Sequence, residues 1–368
     1  MNKKVGIERC SSYEPEELYT SLKKAVDCAG GLDVAGKTVL LKPNIVFDTP
    51  PEKAVCTHPA FLKAAIRLVR EMGAKRILAG DSPGLQTPGF MARNSGLGEM
   101  AIKCGAEWVD FTKEKTEVPC PDGRVMKKFT ITKAAEDADI IISLPKLKTH
   151  QLVYFTGALK NLFGLVPSMA KSAFHVRFSD LRSFSAMIVD LNLALKPTYA
   201  FMDAVTGMEG PGPGSGDPRH IGLVLASSNL LAMDVAASVI IGYPPDRIPV
   251  NSDALNRKFW LSDFSEIEYP CLIPQELKIP DYKKIPIKAS SGQFLHFLLP
   301  QPIKKLLHSF DPMPAILPDI CVRCGNCVRI CASQALSINE RVTIDKRRCI
   351  RCFCCHEICP VKAIEIKK

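Results

Sequence analysis

Short runs of apolar residues alternate, over residues 1–269, with segments in which apolar positions recur every three or four residues. The short runs predict buried β-strands, and the second pattern predicts amphipathic helices. Strands are predicted at residues 37–41, 76–80, 107–111, 139–144, 198–202 and 221–226. Helices are predicted near residues 59–72 and 179–195. Because strands that alternate with helices form mostly parallel sheets with helices on both faces, we predict an α/β domain over residues 1–269.

Residues 319–368 carry a repeated cysteine pattern instead. Two Cys-x2-Cys-x2-Cys-x3-Cys runs begin at Cys321 and Cys349, so the second copy follows the first by 28 residues. In bacterial ferredoxins each such run gives three thiolates to one iron–sulfur cubane and its fourth to the other. The predicted ligands are Cys321, Cys324, Cys327 and Cys359 for one cluster, and Cys349, Cys352, Cys355 and Cys331 for the second. We predict two [4Fe–4S] clusters in a small ferredoxin-like α+β domain; structural zinc is the alternative, although zinc sites usually use separated cysteine pairs.

Other residues of this segment add detail to the predicted clusters. Cys354 is a ninth thiol beside the second run, and is interpreted as a packed or exposed free cysteine or as a reactive thiol. Five arginines lie in or beside the ligand loops: Arg323, Arg329, Arg347, Arg348 and Arg351. Since a four-thiolate cubane is negatively charged, these cations favour its reduced form, unless they only keep the surface soluble.

A proline-rich linker is predicted over residues 270–318, because frequent prolines block long helices. Its apolar stretch, at residues 294–307, is expected to clamp the tail onto the main domain. The alternative is an amphipathic segment on a membrane surface.

Composition and charge exclude several classes of protein. The net charge is +10, but no Lys/Arg run with interleaved aromatics supports nucleic-acid binding. No apolar run is long enough to span a membrane, and the charged start of the chain predicts no signal peptide. Nine of the 15 cysteines lie in the tail and the other six are scattered, which predicts a reducing compartment, the cytoplasm, rather than a disulfide scaffold.

Polar residues follow several of the predicted strands, where ligands bind in open parallel sheets. The predicted catalytic residues are Lys148, His150, His58 and Asp81. The predicted substrate-binding residues are Lys42, Asn44, Lys146, Lys160, Asp203 and Glu209. This mixture suggests a small polar or anionic molecule held by lysines, with protons moved by histidines and carboxylates.

Structural roles are the alternatives for these residues. Asp81 and Asp203 suit caps or turns, His58 suits a helix start, and residues 146–149 suit a solvated loop. The glycines of residues 207–216, expected to form a loop, suit backbone turns alone. The chain lacks both the P-loop pattern and a G-x-G-x-x-G that opens a helix after the first strand, so no nucleotide cofactor is predicted.

Six segments together resemble the domain of unknown function 362 family over about residues 35–245. They are residues 42–44, 57–59, 80–84, 145–150, 156–164 and 203–211. The resemblance implies an uncharacterised iron–sulfur protein with a C-terminal dicluster ferredoxin domain, and it supplies no substrate. Asn161, within these segments, is expected to join the substrate-binding residues.

These patterns predict an iron–sulfur oxidoreductase. A soluble electron donor or acceptor protein exchanges electrons with the two clusters, which relay them to a small-molecule substrate or cofactor at the sheet edge. The alternatives are an electron carrier whose large domain is a docking module, and a redox-sensing, ligand-binding protein.

Overall fold

The computed structural model describes residues 2–87, 89–195, 198–287 and 312–367. Before the tail these residues form eleven strands: β1 (Gly6–Arg9), β2 (Thr38–Pro43), β3 (Arg76–Ala79), β4 (Glu107–Trp108), β5 (Lys115–Pro119), β6 (Lys128–Thr132), β7 (Ile140–Leu144), β8 (Lys146–His150), β9 (Tyr154–Thr156), β10 (Thr198–Glu209) and β11 (Asp217–Ser227). Nine of them make one sheet in the order β1-β11-β10-β7-β2-β3-β4, with β8 on β10 and β9 on β8. Strands β10, β7, β2, β3 and β4 pair in parallel, whereas β1, β9 and β11 pair antiparallel. The predicted mostly parallel sheet is confirmed.

Helices cover both faces of this sheet, as predicted. Those described before the tail are α1 (Pro15–Cys28), α2 (Pro59–Glu71), α3 (Leu97–Lys103), α4 (Lys133–Asp137), α5 (Ala158–Asn161), α6 (Ser168–Arg177), α7 (Leu181–Ala194), α8 (Leu230–Ile240) and α9 (Pro249–Asn256). Because side chains of a strand alternate between faces, Val39 and Leu41 join the core under α1 to α3, while Leu40 joins the core under α5, α7 and α8.

One predicted loop is a strand in the structure, the first three residues of the loop predicted at 207–216 belong to a strand, and one predicted strand is short. Residues 146–150 form β8, which is buried throughout, and β10 continues through Asp203 to Glu209. Asp203 pairs in register with Lys146, so the polar side chains of the two strands satisfy each other inside the protein. Hydrophobic patterning misses such strands because their buried residues are charged. In contrast, β4 keeps only two of the five residues predicted at 107–111.

The tail, residues 312–367, folds into two small hairpin-like sheets and two short helices. Its elements are β12 (Met313–Ile316), α10 (Asn326–Ile330), β13 (Leu336–Ile338), β14 (Val342–Ile344), α11 (Cys354–Glu357) and β15 (Ile364–Lys367). Strand β12 lies within the predicted linker and pairs with β15. The predicted apolar clamp at residues 294–307 lies outside the described residues.

Two features concern the cellular compartment. No helix among the described residues combines the length and apolar character that a membrane crossing needs. Cys28 of α1 and Cys271 form a disulfide, with Cα atoms 6.3 Å apart. Disulfides are typical of oxidising compartments, so this pair weighs against the reducing compartment that cysteine spacing predicted.

Candidate functional site

A cavity of about 110 Å³ lies at the carboxyl edge of the sheet, between the loops that follow the strands and the tail. We call it the lysine cavity because four lysines line it. Six of the predicted site residues line it: Lys42, Asn44, Asp81, Lys148, Lys160 and Asn161. The tail closes the cavity with Ile330 of α10 and with Cys354 and Glu357 of α11.

Lys42 holds the floor of the lysine cavity together. Its ammonium donates to Asp81 Oδ1 at 2.8 Å, to Asn161 Oδ1 at 3.2 Å and to a backbone carbonyl at 2.7 Å, which uses all three N–H donors. Asp81 also accepts two backbone N–H groups, at 2.6 and 2.7 Å. Gly164 makes room for this pair, because a Cβ there would lie 2.3 Å from Lys42 Nζ. Asp81 thus joins the loops after β2 and β3 without capping a described helix, and its catalytic role stays a prediction.

Three other lysines bring positive charge to the lysine cavity without an ion-pair partner among the described residues. Lys148 is fully buried and donates to the Val55 carbonyl at 2.7 Å. Lys171 donates to the Ser82 carbonyl. Burial lowers the pKa of Lys148 to about 7, and burial likewise lowers the pKa of Lys171 to about 7. The Lys160 ammonium has no hydrogen-bond partner among the described residues, so these three ammonium groups favour a bound anion.

Several buried polar atoms of the lysine cavity also have no hydrogen-bond partner among the described residues. They are Asn44 Oδ1, Ser82 Oγ, Thr156 Oγ1 and His175 Nδ1. Their side chains are at most 9% exposed. Burial lowers the pKa of His175 to about 3, so its ring is neutral at pH 7. Because buried polar groups are normally hydrogen-bonded, the lysine cavity is built for a polar ligand or ordered water.

Five predicted site residues lie away from the lysine cavity: His150, which contacts the tail, and four others. Lys146 and Asp203 form a buried ion pair of 2.7 Å, in which both side chains are at most 1% exposed. Asp203 also accepts the Tyr13 hydroxyl at 2.8 Å and the backbone N–H of His58 at 2.9 Å. The His58 ring stacks on Tyr13, and its Nδ1 caps α2. This is the structural role at a helix start that the sequence offered as the alternative to catalysis. Glu209 accepts a backbone N–H at 3.1 Å and serves the packing of the chain after β11.

His150 connects β8 to the tail. Its Nδ1 accepts the Leu152 N–H at 3.1 Å, which places the proton of the neutral ring on Nε2, 3.3 Å from Glu357 Oε1. Burial, then the charges of Lys160 and Lys148, hold the pKa of His150 well below its usual value. His150 therefore approaches α11 as a neutral ring, without a hydrogen bond between its Nε2 and Glu357 Oε1.

The tail cysteines fit iron–sulfur cubanes. The first set, Cys321, Cys324, Cys327 and Cys359, surrounds one small cavity of about 20 Å³. The two runs also share a backbone conformation: left-handed φ angles recur 28 residues apart at Arg323 and Arg351 (55° and 54°), and at Gln334 and Lys362 (51° and 56°). Non-glycine residues rarely adopt this conformation, and such strain clusters at ligand sites. Both runs therefore have loops shaped to hold the same kind of group.

The same cysteines do not fit a single zinc ion. Four thiolates on one zinc lie about 3.8 Å apart, given the Zn–S distance. Among the described residues, the one set of three or more potential ligands within 4.8 Å of each other is Glu8, Cys28 and Cys271. No three tail thiols among the described residues lie this close together, so the tail shows no site preformed for a single zinc ion.

Sequence patterns missed part of the lysine cavity. Lys171 and His175 both lie on α6, four residues apart, so they share one face of that helix. This spacing was the signal available for them. No sequence pattern distinguishes Ser82 and Thr156. The sequence identifies Cys354 as an extra thiol but does not predict that it lines the lysine cavity.

Gly214 is expected to control the docking of the tail on the sheet edge. A Cβ at Gly214 would lie 2.2 Å from the Glu357 carbonyl oxygen, so Gly214→Ala must displace α11. We expect amide hydrogen exchange in residues 354–363 to accelerate about tenfold or more. Gly210→Ala is the control, because its Cβ meets nothing within 4 Å although its φ of 76° strains an alanine. Equal exchange rates in the two variants would contradict this docking.

Two protein families and one relative match parts of this chain. Residues 39–239 match the family described as domain of unknown function (DUF362), and residues 320–363 match the 4Fe-4S dicluster domain, which supports an iron–sulfur electron-transfer role. A thylakoid-associated protein of Synechocystis sp. is 32% identical over 287 residues, covering 77% of this chain and 88% of that protein.

Two solved structures are more distant. The lactate racemase apoprotein of Thermoanaerobacterium thermosaccharolyticum has a TM-score of 0.41 and 15% identity, and covers 61% of this chain and 54% of that one. A Thermotoga maritima protein has a TM-score of 0.38 and 15% identity, with 63% and 60% covered. This chain thus spans less than two thirds of either protein.

The family match extends over more than half of the sequence and agrees with the resemblance found from its motifs. The chain therefore belongs to the DUF362 family and carries a 4Fe-4S dicluster domain at its C-terminal end.

Proposed function

We propose that this protein is an iron–sulfur oxidoreductase that delivers electrons through two [4Fe–4S] clusters to a small anionic substrate or cofactor in the lysine cavity. The observation that carries the proposal is the position of Cys354. It stands between the predicted cluster ligands Cys352 and Cys355, and it also lines the lysine cavity. The second predicted cluster and the ligand site therefore share α11 as a wall.

The other end of the tail supports a route for electrons from outside. Cys324 of the first run is exposed, and the neighbouring apolar residues Ile320 and Val322 are 48% and 62% exposed. Small apolar surfaces beside a redox group suit transient contact with a carrier protein. We propose a soluble electron-carrier protein as the partner at this face. We also propose the cytoplasm as the location, because the eight cluster ligands need reduced thiols, and this requirement outweighs the single Cys28–Cys271 disulfide.

In this proposal the chain binds the anion and moves its protons. The ammonium groups of Lys148, Lys160 and Lys171 attract the anion, while Ser82 Oγ and His175 Nδ1 orient it by hydrogen bonds. A pKa of about 7 lets Lys148 and Lys171 each release a proton at neutral pH. When bound, the clusters supply electrons one at a time.

The first test is the metal content of anaerobically purified protein. We expect eight irons per chain, loss of visible absorption on reduction, and four irons after Cys352→Ser, because two cubanes hold four irons each. Cys104→Ser, which alters a thiol outside both runs, should retain eight. Zinc in place of iron would end the proposal.

The second test is the binding of phosphate, succinate and adipate, followed by calorimetry. Affinity for the tightest of these anions is expected to fall as pH rises from 6 to 8.5. Lys148 and Lys171, with a pKa of about 7 in the ligand-free protein, lose their positive charge above that pH. The bound anion raises both pKa values, so the fall extends above pH 7 by about one decade per pH unit for each lysine involved. Lys171→Met should flatten the slope; absence of binding by all three anions contradicts the proposal.

A further inference from the structure

Cys354 stands outside the ligand pattern of the tail. The two runs supply eight ligands, and the residue 28 positions before Cys354 is Asn326, which is not a thiol. Cys354 begins α11, and its side chain lines the lysine cavity. The second run thus has one cysteine beyond its four ligands, and this cysteine borders a site shaped for another molecule.

The lysine cavity has independent signs of a ligand beside this thiol. Ser82 Oγ and Thr156 Oγ1 have no partner among the described residues, and their side chains are 0% and 2% exposed. Lys160 and Glu357 line the same cavity as Cys354, and burial lowers the pKa of Lys160. A thiol, a cation and unpaired polar atoms therefore face one small space.

We propose that Cys354 forms a mixed disulfide with a small anionic disulfide held in the lysine cavity. This inference rests on the proposed function and names the ligand class of that same site. The Cys354 sulfur attacks one sulfur of the ligand RS–SR′. A bond between Cys354 and RS forms, the RS–SR′ bond breaks, and R′S leaves with the thiol proton as R′SH.

Atoms and electrons balance in this exchange without any oxidant. Return of Cys354 to the thiol, with release of RSH, takes two electrons from the reduced carrier protein and two protons from the surrounding ammonium groups. The charge of the lysine cavity makes the choice of ligand specific. Three lysines that have no ion-pair partner within the described part of the chain favour carboxylate-bearing disulfides and oppose amine-bearing ones.

The size of the lysine cavity restricts the ligand further. Its 110 Å³ corresponds to roughly seven to ten water-sized positions. This is far below the about 300 Å³ or more of pockets for drug-sized ligands. A ligand of about ten heavy atoms, such as dithiodiglycolate, is of the right scale.

The test treats the cluster-loaded protein, under anaerobic conditions, with three small disulfides of different charge: dithiodiglycolate (anionic), 2-hydroxyethyl disulfide (neutral) and cystamine (cationic). Peptide mass spectrometry measures the rate at which each thiol gains the half-disulfide, and iron content is measured in parallel. We expect dithiodiglycolate to label Cys354 about tenfold faster than the neutral reagent, with cystamine slowest. Lys160→Met should reduce this preference, and Cys354→Ser should remove the adduct. Cys104, half-buried directly after the last residue of α3, is the internal control and should lack the charge order.

Adipate, the all-carbon analogue of dithiodiglycolate, separates the two proposals. If adipate binds and Cys354 is labelled in the order of charge, the inference is supported. If adipate binds but Cys354 is not labelled, or is labelled without regard to charge, the inference is overturned and the proposed function stands. Failure of adipate, succinate and phosphate alike to bind overturns both. If Cys354→Ser loses iron, Cys354→Ala takes its place.

Discussion

Asp203→Ala is expected to lower the free energy of unfolding by about 3–5 kcal/mol, because it leaves the Lys146 ammonium buried without its counter-charge. The pair is 2.7 Å apart, and the two side chains are 1% and 0% exposed. The substitution also removes the acceptor of the Tyr13 hydroxyl. Equilibrium urea unfolding of the cluster-loaded protein measures the effect.

Two further variants test the cause of this loss. Glu16→Ala breaks an ion pair with Arg67 in which the side chains are 70% and 41% exposed, and it should cost less than about 1 kcal/mol. Adding Lys146→Met to an Asp203→Leu variant should restore most of the lost free energy of unfolding, since it removes the buried ammonium that has lost its counter-charge. A loss in Asp203→Ala no larger than that in Glu16→Ala would show that the pair is not isolated from water.

Lys148→Met is expected to change stability and ligand binding in opposite directions. The Lys148 ammonium is fully buried and donates to one carbonyl oxygen among the described residues, so a methionine of similar size removes a desolvated charge. We expect the free energy of unfolding of the ligand-free protein to rise by about 1–3 kcal/mol. Affinity for the tightest anion should fall about 10–100-fold, because a charge-assisted hydrogen bond to the ligand is lost.

The control for this prediction is Lys113→Met, which alters an exposed lysine and should change neither quantity. Unfolding in urea and calorimetric titration measure the two effects on the same preparations. If Lys148→Met lowers stability and leaves affinity unchanged, Lys148 is a structural residue. The proposal would then depend on Lys160 and Lys171 alone.

The lysine cavity illustrates how far sequence patterns reach. Asn44, Lys148 and Lys160 were predicted because they follow apolar segments, and topology brings such positions to one edge of a parallel sheet. The same reasoning placed Lys146 and Asp203 there, yet these two bind each other inside the protein. Position along a strand predicts the edge on which a residue lies, but side-chain pairing decides whether it faces a ligand.

The sequence by itself determined what depends on local pattern: the parallel α/β sheet, the helices at residues 59–71 and 181–194, and the two cysteine runs with their 28-residue offset. Each of these follows from periodicity or spacing between near neighbours in the chain. Only the tertiary structure decided that α11 closes the lysine cavity and that α6 contributes Lys171 and His175. It also decided that β8 is a buried strand. These outcomes depend on contacts between segments that are distant in the sequence. Such contacts allow a charged residue to be buried, because they bring its partner next to it.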